Sequence, residues 1–289
     1  MLNCSRSGRT GISAALLAVA VLLCQACAPQ INAQDLASAL FTGLPGKKDN
    51  PGALHRELSA QPRRQLDAES PARILVIGDS LGSGIGFFLR ERVKARGLHA
   101  TVINAAKSST GLSRRDHYDW PREFRALAVA HSPDIVVAHF GANDMQAVVR
   151  PDGLVRFGSP DWAAAYREEI RKILSAAAEA RALLYWVGPG PDRNTKLNRH
   201  LSRVNSLFEE EAEAGGAVYI PVSSFAATPE GGYVRKATIN QRTVTIRSGD
   251  GSHFTGEGYS LIADRLLEEM ERRVPAMFGR RDDLFAALQ

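Results

Sequence analysis

The residues best suited to chemistry form a Gly-Asp-Ser-Leu sequence at positions 78–81, directly after the apolar run of residues 73–77. Apolar, β-branched runs of this length before a turn are typical of buried strands. The turn of small residues would hold the Ser80 hydroxyl at a rigid, exposed point beside backbone N–H groups. Ester cleavage by a side chain needs such a nucleophile and such donors for the developing negative charge. The segment therefore predicts a serine nucleophile.

Other loops supply the partners that a serine nucleophile requires. His253 can accept the proton of Ser80 and return it to the leaving group, and Asp250 can bond the other ring nitrogen and fix the tautomer. The amide of Asn143 and the backbone N–H groups of Gly111 and Ser80 can stabilise the oxyanion. Several of these loops follow predicted strands, and in a parallel sheet they share one edge.

At these blocks the chain resembles the SGNH (GDSL-type) hydrolase family. The family is named for four residues, which stand here as Ser80, Gly111, Asn143 and His253. The sequences Gly-Asp-Ser-Leu, Gly-x-Asn-Asp and Asp-x-x-His also match in order. The resemblance covers residues 71–275 and implies a flavodoxin-like three-layer α/β/α sandwich with a mainly parallel five-stranded sheet. It implies hydrolysis or transfer of acyl groups with no cofactor.

A loop between two of the blocks offers candidate substrate contacts. Residues 111–120 are similar to a periplasmic bacterial subgroup that has no assigned function. Within them, Asp116, Tyr118 and Trp120 could form a platform for a sugar ring, or Trp120 could simply anchor the next helix. Arg247 ends a predicted hairpin and could bind a substrate anion, although a solvated arginine is the simpler interpretation.

Strands and amphipathic helices alternate along the chain, a pattern typical of a mainly parallel sheet covered on both faces. The predicted strands are residues 73–77, 100–104, 134–139, 183–187 and 217–221. The predicted helices are residues 85–96, 121–130, 162–180, 197–214 and a last one from after Thr255 to about Arg273. A hairpin is predicted at residues 233–239 and 243–247.

Three other kinds of site fit the sequence less well. Residues 78–82 satisfy the G-x-S-x-G pattern of α/β-hydrolases, but no earlier strands precede them, and Asp250 lies only three residues from His253. The glycines at 82, 84 and 86 have the wrong spacing for a dinucleotide loop. The histidines outside the Asp-x-x-His block are scattered, so we expect no metal site.

The first residues of the chain resemble an export signal. Arg6 and Arg9 form a positive region, followed by the apolar residues 11–23, which are too short for a comfortable membrane span. Cleavage near residues 33–34 would release a periplasmic or secreted protein. Processing before Cys27 would instead leave a protein with a lipid on Cys27. That lipid would be the protein's only attachment to a membrane.

Composition limits the class of protein and the partners that this chain can bind. The 289 residues are 44% hydrophobic, which is enough for one sizeable core. The net charge of +5 comes from scattered residues with no basic stripe among aromatics, which argues against nucleic-acid binding. All three cysteines lie in the leader, so the mature chain has no disulfide.

The predicted divisions of the chain are residues 1–33 (signal), 34–70 (linker or arm, with a short helix near 53–66), 71–275 (hydrolase domain) and 276–289 (tail).

These observations predict an exported serine esterase or acyltransferase. Its expected substrate is an ester, such as an O-acetyl group, on a cell-envelope polysaccharide or peptidoglycan. Two alternatives stay open: a lysophospholipase or thioesterase acting on lipid esters, and a catalytically silent envelope protein that binds glycans.

Overall fold

A five-stranded parallel sheet forms the centre of the computed structural model, which describes residues 64–239 and 241–279. The strands in chain order are Ala72–Gly78 (β1), Ala100–Asn104 (β2), Ile135–His139 (β3), Val148–Arg150 (β4), Gly153–Val155 (β5), Leu183–Gly188 (β6), Val218–Pro221 (β7), Lys236–Ile239 (β8) and Arg242–Thr245 (β9). The central sheet has the order β2-β1-β3-β6-β7, while β4–β5 and β8–β9 are antiparallel hairpins. The predicted class, a flavodoxin-like α/β fold with a mainly parallel sheet, is confirmed.

Helices cover both faces of the sheet. In chain order they are Ser80–Ala95 (α1), Trp120–His131 (α2), Trp162–Glu179 (α3), Thr195–Ala214 (α4), Ser223–Ala226 (α5) and Gly256–Arg273 (α6), with a 3₁₀ turn at Pro275–Phe278. Helices α1 and α6 pack on one face, and α2, α3 and α4 pack on the other. No helix of the described residues is long and apolar enough to cross a membrane.

Strand β1 shows why the central strands read as continuous apolar runs. Ile74 and Val76 are buried under α1 and α6, while Leu75 and Ile77 are buried under the helices of the other face. Successive side chains of a strand point to opposite faces, so a strand covered on both sides must be apolar throughout. Because β1 is paired with β2 on one side and β3 on the other, its carboxyl end lies at the point where the strand order reverses. Ligands bind at such points in open α/β sheets.

Most of the predicted elements occur within a few residues of their predicted bounds, with two differences that matter. Helix α1 begins at Ser80 and not at residue 85, because the preceding residue caps it. The β4–β5 hairpin was not predicted, because its three-residue strands carry too little sequence pattern. The helix predicted near residues 53–66 lies outside the described residues except at 64–66, which are not helical.

Residues 64–70, predicted as the end of a linker, pack on the domain. The Leu66 side chain is buried in the core beside α1 and α6. The guanidinium of Arg64 forms an ion pair with Asp134 at 2.8 Å, and the same carboxylate accepts the backbone N–H of Arg73 at 2.8 Å. Since Asp134 is itself buried, these bonds satisfy a charge that would otherwise be costly to desolvate.

The last residue of β1 must be glycine for two separate reasons. Gly78 has φ of +142°, and a Cβ there would lie 2.1 Å from the carbonyl oxygen of His139. Gly153 has nearly the same φ, +141°, with nothing near its missing Cβ. A substitution at Gly153 therefore introduces backbone strain alone, whereas one at Gly78 introduces the same strain together with a steric clash.

We expect Gly153→Ala to lower the free energy of unfolding by about 1–3 kcal/mol, the cost of such a backbone conformation. Gly78→Ala should lower it by more than that, or prevent folding, because the backbone of β3 cannot move away from the added methyl group. Urea denaturation of both variants measures the difference. Equal losses of stability would contradict the argument.

Candidate active site

The candidate nucleophile stands at the first turn of helix α1. The helix begins at Ser80 because the Asp79 carboxylate caps it, accepting the backbone N–H groups of Leu81 at 2.9 Å and Gly82 at 3.3 Å. The N–H group of Ser80 has no acceptor within the described part of the chain. The first turn of a helix carries partial positive charge, so this N–H and the hydroxyl beside it favour an anionic oxygen.

A neighbouring strand fixes the residue before the nucleophile. His139, the last residue of β3, lies with Nδ1 3.1 Å from Oδ1 of Asp79, and both side chains are buried. The backbone also pairs, since the N–H of Asp79 donates to the carbonyl of His139 at 3.3 Å. Two adjacent strands thus hold the start of α1, and with it the position of the Ser80 hydroxyl.

The structure brings His253 and Asp250 to this hydroxyl from the other end of the chain. Nε2 of His253 lies 2.9 Å from Oγ of Ser80, and Nδ1 lies 2.7 Å from Oδ2 of Asp250. A carboxylate can only accept, so Nδ1 carries the proton and Nε2 is free to accept the serine hydroxyl. This is the tautomer that a general base next to a nucleophile needs.

The carboxylate of Asp250 is held ionised by its own loop. Its Oδ1 accepts the hydroxyl of Ser248 at 2.7 Å and the backbone N–H groups of Ser252 at 2.9 Å and His253 at 3.0 Å. Burial raises the pKa of Asp250, but the hydrogen bonds from Ser248, His253 and Ser252 outweigh it, so the pKa lies below its usual range. A negative Asp250 is therefore available to stabilise an imidazolium on His253.

A buried arginine supports the loop of residues 248–253, here called the triad loop. The Arg247 guanidinium donates to the carbonyls of Ser252 at 2.8 Å and Pro191 at 2.7 Å, and it lies 3.7 Å from the centre of the Phe254 ring. Burial lowers the pKa of Arg247 to about 10. The side chain is 1% exposed. The structure thus does not bring Arg247 to an open surface, so neither substrate contact nor solvation, the two sequence-based interpretations, describes its position.

The loop after β6 contacts the triad loop at two further points. Arg193 donates to the carbonyl of Asp250 at 3.0 Å, and its backbone N–H donates to the carbonyl of Gly251 at 3.3 Å. The buried Asp192 carboxylate accepts the hydroxyl of Ser252. These bonds hold the triad loop through two of its backbone carbonyls and the side chain of Ser252, and they do not use the side chains of Asp250 and His253.

Gly111 and Asn143, the predicted oxyanion donors, meet across two loops. The Asn143 side-chain amide donates to the carbonyl of Thr110 at 2.9 Å, which places it beside Gly111. The N–H group of Gly111 has no acceptor among the residues that the structure describes. A Cβ on Gly111 would lie 2.3 Å from Oδ1 of Asp144, so this position has no room for a side chain. The arrangement leaves an N–H of Gly111 and the second amide proton of Asn143 for a ligand oxygen.

The buried side chain of Asp144 supports the loops that carry Gly111 and Asn143. Its Oδ1 accepts the backbone N–H of Ser113 at 2.8 Å and its Oδ2 accepts the Tyr166 hydroxyl at 2.8 Å. The carboxyl is completely buried, and burial raises its pKa to about 6 despite these two hydrogen bonds. The nearby charge of Asp79 raises the pKa of Asp144 further.

The three candidate substrate contacts of the Gly111 loop differ in how deeply they are buried. Trp120 is fully buried at the start of α2, and its Nε1 donates to Oγ1 of Thr110 at 2.9 Å. It therefore anchors the helix and cannot be a sugar platform. Tyr118 is half-buried against Trp120 and has the Lys107 ammonium 4.4 Å from its ring centre. Asp116 is exposed, and its hydrogen bond with Arg114 lowers the pKa of its carboxyl to about 2.

Sequence reasoning missed several residues that position the site. His139 and Asp192 were not singled out, and Trp120 was weighed as a possible platform. One signal was available for His139, because a polar side chain at the end of an otherwise apolar strand must find a partner. No sequence signal pairs Arg247 with the carbonyl of Pro191, since 56 residues separate them.

Comparison with known proteins gives the family and the fold. The model of a family described as "Protein of unknown function (DUF459)" matches residues 73–269. No curated protein matches the sequence.

Solved structures with the same fold include several ester-cleaving proteins. A GDSL-like lipase from Bacteroides thetaiotaomicron has a TM-score of 0.50 and 17% identity, over 77% of this chain and 98% of that chain. The native M. smegmatis aryl esterase has a TM-score of 0.50 and 17% identity, over 70% and 100%. A carbohydrate acetylesterase family member from Sinorhizobium meliloti has a TM-score of 0.50 and 18% identity, over 72% and 100%. The chain belongs to the DUF459 family, and its fold is that of the SGNH hydrolases.

Proposed function

We propose that this protein is an exported serine esterase that removes or transfers O-acyl groups, acetyl groups above all, on a cell-envelope polysaccharide or peptidoglycan. One observation carries the proposal: the unbroken hydrogen-bond relay from Ser80 through His253 to Asp250, with lengths of 2.9 and 2.7 Å. A hydroxyl, a base of the right tautomer and an ionised orienting group are the parts that nucleophilic acyl transfer needs.

The geometry supports a two-step reaction. Oγ of Ser80 attacks the ester carbonyl carbon while Nε2 of His253 takes the hydroxyl proton, and the carbonyl becomes an oxyanion. The N–H groups of Ser80 and Gly111 and the amide of Asn143 hold that oxyanion. The C–O bond then breaks, and His253 gives its proton to the leaving alcohol.

The second step returns the enzyme to its starting state. Water, or an acceptor hydroxyl in a transferase, attacks the acyl carbon on Ser80 and loses its proton to Nε2 of His253. The bond between the acyl carbon and Oγ of Ser80 then breaks, His253 returns the proton to Oγ, and the free acid or the new ester leaves. Asp250 stays ionised throughout and stabilises the imidazolium that forms in each step.

The exposure of the site supports a large alcohol partner. The side chain of His253 is 41% exposed and that of Asp250 is 51% exposed. An ester that projects from a polymer can reach such a site without the whole molecule entering a cavity. The predicted export signal would bring the protein to such polymers, and one protein of the same fold is a carbohydrate acetylesterase family member.

Removing the nucleophile tests the mechanism. We expect Ser80→Ala to lower the rate of acetate release from an aryl acetate by at least about 10³-fold, because no other group can form the acyl-enzyme. Ser83→Ala is the matched control, since Ser83 lies on the same helix and its carbonyl, not its hydroxyl, accepts the amide of Asn104. Wild-type activity in the Ser80→Ala variant would contradict the proposal. Failure of wild-type protein to take a fluorophosphonate label would instead favour a silent glycan-binding protein.

The length of the acyl chain tests the substrate class. We expect kcat/KM for an aryl acetate to exceed that for the matching aryl palmitate by about tenfold or more, because a site whose His253 and Asp250 side chains are 41% and 51% exposed does not enclose a long acyl chain. Steady-state kinetics on the two esters measure the ratio. A preference for the palmitate would replace the proposal with a lipolytic enzyme.

The buried Asp144 makes stability depend on pH. Its folded-state pKa of about 6 lies above the ordinary value for aspartic acid, so the folded protein keeps the proton where the unfolded chain has lost it. This contribution to stability is complete below about pH 4 and is lost as the pH rises through about 6, a change of about 3 kcal/mol.

We expect Asp144→Asn to remove that part of the pH dependence, because an amide does not titrate in this range and Tyr166 can accept as well as donate a hydrogen bond. The measurement is the free energy of unfolding in urea at pH 4, 5, 6 and 7, taken as wild type minus variant so that other groups cancel. A difference that does not change with pH would show that Asp144 does not titrate in this window.

A further inference from the structure

Helix α4 carries three positive charges on one side. Lys196, Arg199 and Arg203 occupy the first half of α4 with a spacing of three and then four residues, so they lie on one face of the helix. All three are exposed. None has a carboxylate within ion-pair distance in residues 64–239 or 241–279. These three residues are called the basic face below.

The basic face begins beside the catalytic machinery. Helix α4 starts at Thr195, two residues after Arg193, which itself donates to the carbonyl of Asp250. From Lys196 to Arg203 the face extends about 10 Å along the helix axis. A ligand that lies along this face therefore has one end at the triad loop.

The carboxylates of the two adjoining loops are engaged with partners other than the basic face. Asp192 is buried and accepts the backbone N–H of Asn194 and the hydroxyl of Ser252. Asp250 is engaged with His253 and with the N–H groups of its own loop. A different side of α4, which carries the buried Leu201, Val204 and Phe208, packs on the domain, so the orientation of the basic face is fixed.

Arginine and lysine heads at this spacing favour an extended anion over a single small ion. The Arg203 guanidinium is held 5.5 Å from the centre of the Trp162 ring, which limits its freedom before any ligand binds. A cationic surface at the entrance of a site raises the local concentration of an anionic substrate and orients it. The effect falls with ionic strength, because exposed charges are screened over about 8 Å in physiological salt.

We propose that the basic face binds the anionic part of an acylated glycan, so that the natural substrate is a polymer with carboxylate groups and not a neutral polysaccharide. This inference rests on the proposed esterase function. It adds the charge of the substrate and the surface that recognises it.

The test compares two triple variants that remove the same charge. The first is Lys196→Gln, Arg199→Gln and Arg203→Gln, which keeps the apolar stems; Arg193 is left in place because it contacts the triad loop. The control is Lys94→Gln, Arg181→Gln and Arg273→Gln. These three are exposed and lie at or beyond the ends of α1, α3 and α6, and so at the opposite edge of the sheet.

Acetate release is measured from O-acetylated polygalacturonate, from O-acetylated xylan as a neutral polymer and from an aryl acetate. We expect the basic-face variant to raise KM for the polygalacturonate about tenfold at low salt, with kcat and both neutral substrates changed less than twofold. The control variant should behave as wild type. Equal KM values for the two variants on the polygalacturonate would overturn the inference.

Binding without turnover separates this inference from the esterase proposal. The Ser80→Ala protein should bind unmodified polygalacturonate and not dextran, and the basic-face substitutions should abolish that binding. If wild-type protein released no acetate from any ester, the esterase proposal would fail while this binding result still decided the charge of the ligand. Binding of duplex DNA as tight as that of polygalacturonate would overturn the assignment to a glycan.

Discussion

The site depends on one buried carboxylate, that of Asp79. It caps helix α1, it contacts His139 on the adjacent strand, and it immediately precedes the candidate nucleophile. Capping starts the helix at Ser80, and the contact with β3 ties that start to the centre of the sheet. Without the cap, the helix would lose acceptors for two N–H groups and its first turn would fray, and the serine hydroxyl would no longer have a fixed position.

The other parts of the site also rest on buried polar residues. The Gly111 and Asn143 loops rest on the buried Asp144 and on the hydrogen bond from Trp120 to Thr110. The triad loop rests on Arg247, which bonds to backbone carbonyls. Each functional group is thus positioned by a buried polar residue one step further from the ligand. Such supporting bonds are formed in a low-dielectric interior, where they are strong when complete and costly when one partner is lost.

The fold and the candidate reacting groups could be predicted from the sequence, but most of the buried residues that hold those groups could not. The apolar strands, the helices between them and the residues at strand ends follow from local pattern, which is why Ser80, Asn143 and His253 could be named. The sequence left open whether Trp120 forms a platform or anchors the next helix, and only the structure shows that it is buried. The burial of Arg247 could not be predicted from local pattern, because its partners lie on a distant loop. The basic face was missed for a related reason. The helical period of the predicted helix aligns its members, but only the structure shows that they are exposed and have no ion-pair partner among the described residues.

The division of the triad between two segments has a consequence for how the site can fail or be controlled. Asp250 and His253 lie on one six-residue loop that is closed on itself by the hydrogen bond from the N–H of Ser248 to the carbonyl of His253, while Ser80 is the first residue of helix α1. The base and its orienting group must therefore travel together. A displacement of this loop separates the serine from an intact acid–base pair and does not leave a half-assembled relay. In the proposed mechanism, any such displacement would lower the fraction of molecules in which His253 contacts Ser80, while the contact between His253 and Asp250 would remain.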